Sequence, residues 1–421
     1  MNPGPAADVD FRRALEALRS GVPNRDAVKV MGCAQPAVEQ KFGKTLDVAG
    51  ELLQKGKQAP GLLVTGDFGS GKSHLLEYLE HVALSQNFVC SRVIISKETP
   101  LYDPAKVYRS AIESAVVPGL TGQAIQEMAL KFQPNSKEYA AFERWCNRAE
   151  GKLNPIFPAT LVLHERLAGD PEMVERITGF WSGERLSISD IRLGLKKVGL
   201  SSAFGLKAIK VRELALERFV FTTRLILGAG YSGWVLLLDE LELVGRYSLL
   251  QRAKSYAELA RWMGQLEGEQ YPGLIAVGAI TADFELAVLD EKGDRDSIRE
   301  KLEDKGTEEY KLLAAKAETG MRIIRRDAVP VEPPDDRALK ATYERLREVH
   351  AKAYGWEPPE IAPTERSTTR RMRSYVRRWI NEWDLNRLYP GIAISTEEQE
   401  LRPSYEEDKE IETPIETGEE Q

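Results

Sequence analysis

The chain has 421 residues, of which 42% are hydrophobic and 29% are charged, and its formal net charge is −7. This length and composition predict a globular protein of two or three domains with a sizeable core. They argue against a membrane span, because the longest strongly apolar run covers only residues 234–238, far below the roughly 20 residues that cross a bilayer.

The cysteines and the first residues predict a cytoplasmic protein without membrane contact. Cys33, Cys90 and Cys146 are widely spaced and odd in number, which argues against a disulfide framework. The first residues lack the basic start and the apolar stretch of a secretion signal.

The acidic charge is concentrated at the C-terminus. Residues 396–421 contain 11 acidic residues against Arg402 and Lys409, a net charge of −9, so the rest of the chain carries +2. This composition predicts an acidic, disordered tail at 391–421. The net charge of the whole chain therefore does not argue against nucleic acid as a partner.

The N-terminal segment, residues 1–56, is predicted to be helical. Apolar residues recur at helical spacing until Gly21 and Pro23 end the pattern, and a second helix is predicted at 35–55. The apolar face of the first helix consists of Phe11, Ala14, Leu15 and Leu18.

A phosphate-binding loop follows. Residues 61–65 predict a buried strand, residues 66–73 (GDFGSGKS) fit the P-loop pattern at every fixed position, and helical spacing resumes at Leu75. In such a loop the backbone N–H groups and the helix N-terminus bind phosphate oxygens. Lys72 neutralises the β- and γ-phosphates, and the Ser73 hydroxyl is a ligand of Mg²⁺. The predicted ATP contacts are Gly66, Asp67, Phe68, Gly69, Ser70, Gly71, Lys72, Ser73 and His74.

Strands and helices then alternate up to residue 330. Apolar runs at 89–96, 234–238 and 274–280 predict three more buried strands. Such alternation predicts an α/β core with a parallel sheet covered on both faces, over residues 57–330. Residues 104–230 exceed the length of one crossover and predict an inserted helical subdomain. Its helices are expected at 104–116, 121–133, 137–150, 156–169, 171–182, 187–198 and 205–229.

Two acids end the strand at 234–238. Asp239 is predicted to hold Mg²⁺ through water, and Glu240 to polarise the attacking water as the general base. An apolar strand that ends in two acids could also mark a mere loop boundary. Together with the glycine loop, however, the pair predicts ATP hydrolysis as well as ATP binding.

Two helices are predicted beyond residue 330, at 335–354 and 368–388, and would form a C-terminal helical domain over 331–390. The second helix has an apolar stripe, so it is expected to pack against another element. It also lies in the densest basic part of the chain, which contains Arg366, Arg370, Arg371, Arg373, Arg377 and Arg378.

The order of these elements resembles the AAA+ and STAND division of ATPases. This resemblance implies an AAA+-like three-layer core with a helical lid at 331–390. It also implies that Thr281, at the end of the 274–280 strand, orients the attacking water between the two carboxylates. Threonine is also common in strands for packing reasons alone, so the catalytic role of Thr281 and a packing role stay open.

The resemblance further implies catalytic arginines. One would come from a neighbouring subunit and stabilise charge on the transferred phosphoryl group. Another, Arg371, would be the lid arginine that reads the γ-phosphate. The remaining basic side chains of the lid could bind DNA phosphates or form an ordinary charged helix face. The candidates for the arginine from the neighbouring subunit are Arg299, Arg322, Arg325 and Arg326, each of which could also be a plain surface residue.

A more specific resemblance begins at residues 15–28 (LEALRSGVPNRDAV). This segment is similar to the opening signature of the BrxD ATP-binding proteins of bacterial BREX anti-phage defence loci. Residues 229–233 (AGYSG), the strand end at 239–242 (DELE) and the stretch around Thr281 and Phe284 resemble the same family. The similarity runs from about Phe11 to Leu388, with departures at 290–319 and in the acidic tail.

The two resemblances imply a function and leave alternatives. The leading interpretation is an oligomeric ATPase that remodels or loads a helicase-like partner in phage defence, on double-stranded DNA. The others are a STAND-like nucleotide switch and a DNA-binding scaffold that ATP merely orders. In AAA+ relatives a loop before the P-loop strand holds the adenine, and Pro23 with Asn24 could do so here or could simply form a helix-ending turn.

Overall fold

The computed structural model of the chain describes most of its length. The described residues are 5–22, 24–120, 124–131, 136–147, 153–207, 209, 214–361, 372–390 and 405. Pro23, Arg371 and, except for Tyr405, the tail at 391–421 that we predicted to be disordered therefore lie outside the described residues. No described helix combines the length and the apolar character needed to span a membrane.

Five strands form one parallel sheet in the order β2-β3-β4-β1-β5. This confirms the predicted parallel sheet. The fifth strand was not predicted, because two residues show no alternation or apolar run. The strands are β1 Leu62–Gly66, β2 Phe88–Ile94, β3 Gly233–Asp239, β4 Leu274–Thr281 and β5 Val329–Pro330.

Each predicted helical segment contains a helix in its described part, and α2, α12, α13 and α14 lie outside those segments. The N-terminal helices are α1 Pro5–Ser20, α2 Arg25–Met31, α3 Pro36–Gln54 and α4 Lys72–Ser85. The inserted helices are α5 Pro104–Glu113, α6 Ala124–Lys131, α7 Lys137–Asn147, α8 Ile156–Arg166, α9 Pro171–Trp181, α10 Ile188–Lys197 and α11 Ala215–Gly228. The others are α12 Leu249–Trp262, α13 Asp294–Glu303, α14 Glu308–Arg322, α15 Asp336–Tyr354 and α16 Met372–Leu388.

Helices cover both faces of the sheet. Successive side chains of a strand point to opposite faces. Accordingly, Val64 packs in an apolar cluster with residues of α3 and α4, whereas its neighbour Leu63 belongs to a cluster that contains residues of α11 and α12. All seven residues of β3 are buried, so the central strands carry the core.

Several of the inserted helices begin at a side-chain cap, among them α5 and α9. The Asp103 side chain accepts hydrogen bonds from the first turn of α5, and Asp170 does the same for α9, with a proline next in each case. Such caps satisfy N–H groups that a helix itself leaves unpaired. The insertion is continuous with the sheet core, since its aromatic residues Phe157 and Phe221 belong to the same cluster as Trp234 of β3.

The first helix packs on the last two. Leu15 of α1 is fully buried in one cluster with Trp379 and Trp383 of α16 and residues of α15. Polar contacts reinforce this packing, since Arg12 Nε donates to the Ala353 carbonyl at 2.8 Å. Residues 1–56 and 331–390, which the sequence divides into separate segments, therefore share an apolar cluster.

A buried histidine fixes the packing of the C-terminal helices. His350 of α15 has no exposed surface, and its Nε2 lies 3.1 Å from Asp384 Oδ1 of α16. The other carboxylate oxygen of Asp384 lies 3.2 Å from the guanidinium of Arg19 at the end of α1. One carboxylate thus joins three helices.

The close approach of α14 to α12 generates the first prediction. A Cβ added at Gly320 would lie 2.9 Å from the Tyr256 Cα and nearer still to the Tyr256 carbonyl. We expect Gly320→Ala to lower the free energy of unfolding by about 1–3 kcal/mol, measured by denaturant titration.

The matched control is Gly50→Ala in α3, where an added Cβ meets nothing within 4 Å. This change should stabilise the protein by roughly 0.5–1 kcal/mol, because alanine is the better helix former. Equal effects of the two substitutions would contradict the packing of α14 on α12 described above.

Candidate nucleotide-binding site

The glycine loop has the backbone that phosphate binding needs. It connects β1 to α4, and Gly69 and Gly71 have φ values of 78° and 102°, a region that glycine adopts without steric cost. Gly71 is the N-cap of α4, without a side-chain cap. The first N–H groups of α4 therefore point out of the helix end, as anion binding requires.

Lys72 lies folded over this loop. Its Nζ donates to the carbonyls of Gly66 at 2.9 Å and Asp67 at 3.1 Å, and only 7% of the residue is exposed. Burial lowers the pKa of the Lys72 ammonium, while the carboxylates of residues 239–242 act in the opposite direction. The glycine loop and the end of β3 therefore face one another across a single lysine.

Asp239 ends β3 and is held by an arginine that sequence reasoning missed. Arg92 of β2 contacts Asp239 Oδ2 and Glu77 Oε2, each at 2.8 Å, and donates to the Ser73 carbonyl at 3.3 Å. The Asp239 side chain is 5% exposed. One guanidinium thus connects the two segments that contain the predicted magnesium ligands, Ser73 and Asp239.

Glu240 occupies an unusual backbone conformation. Its φ and ψ are 60° and 34°, and among the described residues only Asn87 and Glu240 are non-glycine residues with positive φ. Such a conformation is costly for a residue with a Cβ and is found preferentially at functional sites. Burial, followed by the charge of Asp239, raises the pKa of Glu240. A carboxylate with a raised pKa accepts a proton more readily near neutral pH.

Glu242 is a third acid of the site that we had noted only within the family resemblance. The 3₁₀ helix at Leu241–Arg246 returns its side chain to the site, where it is 5% exposed. Its Oε2 is buried without a hydrogen-bond partner among the described residues. Burial raises the pKa of Glu242 to about 7, against the opposing charge of Lys72. The sequence signal was the third acid in residues 239–242.

Thr281 lies between the two halves of the site. β4 is inserted between β1 and β3, and Thr281 pairs in register with Gly66 at the start of the glycine loop. The residue is 2% exposed, and its Oγ1 lies 2.6 Å from the Tyr405 hydroxyl. Its hydroxyl is therefore engaged by a side chain from the acidic tail.

A cavity of about 380 Å³ opens beside the glycine loop and α4. This volume lies within the range of small-molecule sites. The cavity lies among α1, the loop after α2, and the C-terminal helices α15 and α16. Its walls are largely apolar. Its lining includes Leu18, Gly21, Met31, Gly32, Cys33, Ala34, Gln35, Gly71, Ser73, His74, Val331, Pro334, Met372, Arg373 and Val376.

Two of the predicted ATP contacts have structural partners here. His74 Nε2 lies 2.8 Å from the Gly32 carbonyl, so His74 joins α4 to the cavity wall. The Asn24 side chain caps α2 by accepting from the Ala27 N–H at 2.8 Å. Residues 32–35 form one part of the cavity wall, and Asn24 is the N-cap at the start of α2. The contact of Asn24 with adenine stays a prediction.

Arg373 of α16 reaches the glycine loop. Its guanidinium carbon lies 5.8 Å from the centre of the Phe68 ring, and the residue lines the cavity. Burial and Arg377 lower the pKa of Arg373, while Glu240 and Asp239 act in the opposite direction.

The other described arginines of interest lie elsewhere. Arg377 is exposed, and Arg378 forms an ion pair with Glu382. Arg299 contacts Glu303 and Glu318, and Arg325 contacts Glu285. Arg322 and Arg326 are exposed.

The glycine loop, the buried lysine and the acids of the neighbouring strand, carried on a five-stranded parallel sheet, define a P-loop-like ATP-binding protein. The chain belongs to the family of BREX system ATP-binding proteins BrxC/D, whose family model matches residues 10–132 and 205–380. It is thus an ATP-binding protein of the BREX phage-defence system. Among curated proteins no similar chain is found, and no solved structure is similar to it either.

The match confirms the resemblance and corrects its limits. Residues 290–319, where we expected a departure from the family, lie within the matched range 205–380. The internal stretch without a match is 133–204. These residues include α7 to α10, so the similarity that we expected from Phe11 to Leu388 is interrupted within the helical insertion, whereas α5, α6 and α11 lie in the matched ranges.

Glu242 generates a pH-dependent prediction. Its pKa of about 7 in the native protein lies above the ordinary glutamate pKa of 4.5, so the native state binds more protons between these values. The free energy of unfolding should therefore fall as pH rises from 4.5 through 7. Relative to wild type, Glu242→Gln should gain roughly 1–3 kcal/mol on going from pH 5 to pH 8, measured by denaturant titration without nucleotide.

Glu300 is an exposed glutamate of α13, and Glu300→Gln serves as the control for the same substitution at the surface. A pH-independent difference for Glu242→Gln would show that Glu242 ionises normally in the native protein.

Proposed function

We propose that this chain hydrolyses Mg-ATP with an AAA+-like core and a lid formed by α15 and α16. One observation carries the proposal: Lys72, the acids at 239–240 and Thr281 come together at the carboxyl ends of three adjacent strands. Parallel sheets bind ligands at this edge. The insertion of β4 between β1 and β3 gives Thr281 the place where an attacking water is held.

The phosphates lie on the glycine loop. Backbone amides of residues 66–73 bind their oxygens, and Lys72 exchanges its bonds to the Gly66 and Asp67 carbonyls for the β- and γ-phosphates. Its buried ammonium has little water to lose, so the contact with phosphate is strong. The charge of ATP in turn compensates a lysine whose burial lowers its pKa.

Magnesium fits the residues at the end of β3. The Ser73 hydroxyl and the Asp239 carboxylate are hard oxygen ligands of the kind that Mg²⁺ prefers, and Arg92 links Asp239 to the Ser73 carbonyl. When bound, the ion neutralises charge on the phosphates. Arg92 then keeps its contact with Glu77, which prevents Asp239 from swinging away.

Glu240 acts as the general base. Its raised pKa favours proton uptake, and its left-handed backbone fixes the carboxylate at the sheet edge. The attacking water gives one proton to Glu240 as its oxygen bonds to the terminal phosphorus and the bond to ADP breaks. Thr281 holds the same water from β4.

The cavity accommodates the nucleoside. It borders Gly71 and Ser73 at the start of α4, and apolar residues from both ends of the chain line it, which suits an adenine ring. Arg373 approaches from α16 and contacts the γ-phosphate. This is the role that the resemblance implies for Arg371, which lies outside the described residues.

ATP turnover is coupled to oligomerisation and to a partner. In an oligomer, the exposed Arg322 or Arg326 supplies positive charge to the neighbouring subunit's ATP. The partner is a helicase-like protein of the defence system, remodelled or loaded on double-stranded DNA. Exposed Arg377 belongs to the basic part of the lid that would contact DNA phosphates.

A nucleotide switch with rare turnover is the second candidate. The ion pair between Arg92 and Asp239 favours it, because an arginine bound to the metal ligand slows assembly of the hydrolytic state. Steady-state turnover with and without duplex DNA distinguishes a stimulated ATPase from this switch and from a scaffold that ATP only orders.

The general base is tested by Glu240→Gln beside Lys72→Ala. We expect Glu240→Gln to lower ATP turnover by roughly 100-fold or more, because it removes the proton acceptor, while calorimetry detects normal ATP binding. Lys72→Ala should lose binding as well, and Glu300→Gln should match wild type. Normal function in Glu240→Gln combined with loss in Lys72→Ala would favour the switch.

Arg373 is tested by substitution with alanine. Loss of its charge from the γ-phosphate should reduce kcat by roughly 10- to 100-fold, measured as phosphate release at saturating ATP. Lys340 of α15 has a side chain that is 79% exposed, and Lys340→Ala provides the control that removes a lid charge elsewhere. Equal kcat values for both variants would exclude contact of Arg373 with the reacting phosphate.

A further inference from the structure

Tyr405 comes from the acidic tail, yet its side chain enters the ATPase core. Its ring meets the Phe284 ring edge-on, with centroids 6.1 Å apart. Gly245 makes room for it, since a Cβ at that position would lie 3.0 Å from Tyr405 Cδ1. The tyrosine is thus fitted against the segments that follow β3 and β4.

The Tyr405 hydroxyl forms two hydrogen bonds, and the donor of each can be assigned. It donates to Asp283 Oδ1 at 2.9 Å, and a carboxylate can only accept. Because the single proton of the phenol is used in that bond, the contact of 2.6 Å between Tyr405 Oη and Thr281 Oγ1 must be donated by Thr281. Burial raises the pKa of Tyr405, so the phenol keeps its proton at neutral pH.

Because Thr281 donates its proton to Tyr405, its hydroxyl is left with acceptor capacity only. A hydroxyl has one proton to donate and lone pairs that accept. With its proton directed at Tyr405, Thr281 cannot donate to a phosphate oxygen, but it can accept a hydrogen bond from a water. A water that donates one proton to Glu240 and the other to Thr281 keeps a lone pair free for the terminal phosphorus.

We propose that Tyr405 is a positioning residue of the ATPase site, which holds the Thr281 hydroxyl as an acceptor for the attacking water. The inference rests on the proposed hydrolysis of ATP. Tyr405 itself neither gains nor loses a proton in the reaction. Its hydroxyl, anchored by Asp283, sets the orientation of the Thr281 hydroxyl, so the acidic tail supplies a part of the catalytic arrangement.

Tyr405→Phe in the full-length chain tests the proposal. The ring contacts with Phe284 and Gly245 remain, but both hydrogen bonds of the hydroxyl are lost. We expect kcat to fall about tenfold, equal to about 1.4 kcal/mol of barrier, with KM for ATP and the thermal unfolding midpoint unchanged. Tyr389→Phe, at an exposed tyrosine of the described chain, should leave kcat at the wild-type value.

Asp283→Ala provides an independent variant. Removal of the acceptor lets the Tyr405 proton turn to Thr281, so kcat should fall to a similar extent. In the double variant with Tyr405→Phe the losses should not add, because both substitutions break one hydrogen-bond chain. Fully additive losses in kcat would contradict the proposal that one hydrogen-bond chain through Asp283, Tyr405 and Thr281 causes them.

The other outcomes are equally decisive. Unchanged or higher kcat in Tyr405→Phe, alongside inactive Glu240→Gln, would overturn the role of Tyr405 and leave the proposed hydrolysis intact. A higher KM at constant kcat would place Tyr405 in ATP binding and also overturn the inference. A wild-type protein without turnover would overturn the inference together with the hydrolysis that it rests on.

Discussion

A buried ammonium group and the acids that face it are the interaction on which the site depends. Lys72 is almost completely buried, and a buried charge is costly unless opposite charges and hydrogen bonds compensate it. Two loop carbonyls and the carboxylates of residues 239–242 supply that compensation. Neither the glycine loop nor the end of β3 is electrostatically balanced without the other.

Two residues of the site are locally destabilising, and the central sheet holds them in place. Glu240 is held in a left-handed conformation, and Glu242 has a buried oxygen without a partner among the described residues. Both follow β3, whose seven residues are all buried between paired neighbours. A rigid central strand can fix strained residues at its end, which keeps the two carboxylates in place at the edge of the sheet.

The sequence allowed the main strands, most helices and the glycine loop to be predicted, because each has a local pattern. Apolar runs identify β3 and β4, and the fixed spacing of the P-loop identifies Lys72. The two-residue β5 has no pattern of its own, and the short α2 was obscured by the turn residues at its Asn24 cap.

Contacts that depend on tertiary structure could not be predicted. Arg92 reaches Asp239 only because β2 pairs with β3 in a particular register, and Tyr405 reaches Thr281 across 124 residues of sequence. The contact of Arg373 with Phe68 could not be predicted for the same reason, since helical spacing alone does not tell which residue of α16 lies over that ring. The role of Arg371, which lies outside the described residues, stays a prediction. A sequence pattern shows which residues share a face but does not show what that face meets.

The packing of α1 on α15 and α16 has a consequence for synthesis of the protein. Arg12 and its partner Ala353 are separated by 341 positions, and at roughly 5–20 residues per second the ribosome needs roughly 17–70 seconds to make that stretch. During this time the side of the first helix that carries Leu15 lacks its native cover from α15 and α16. The nascent chain must therefore leave Leu15 exposed, or shielded by a chaperone, until the last helices emerge.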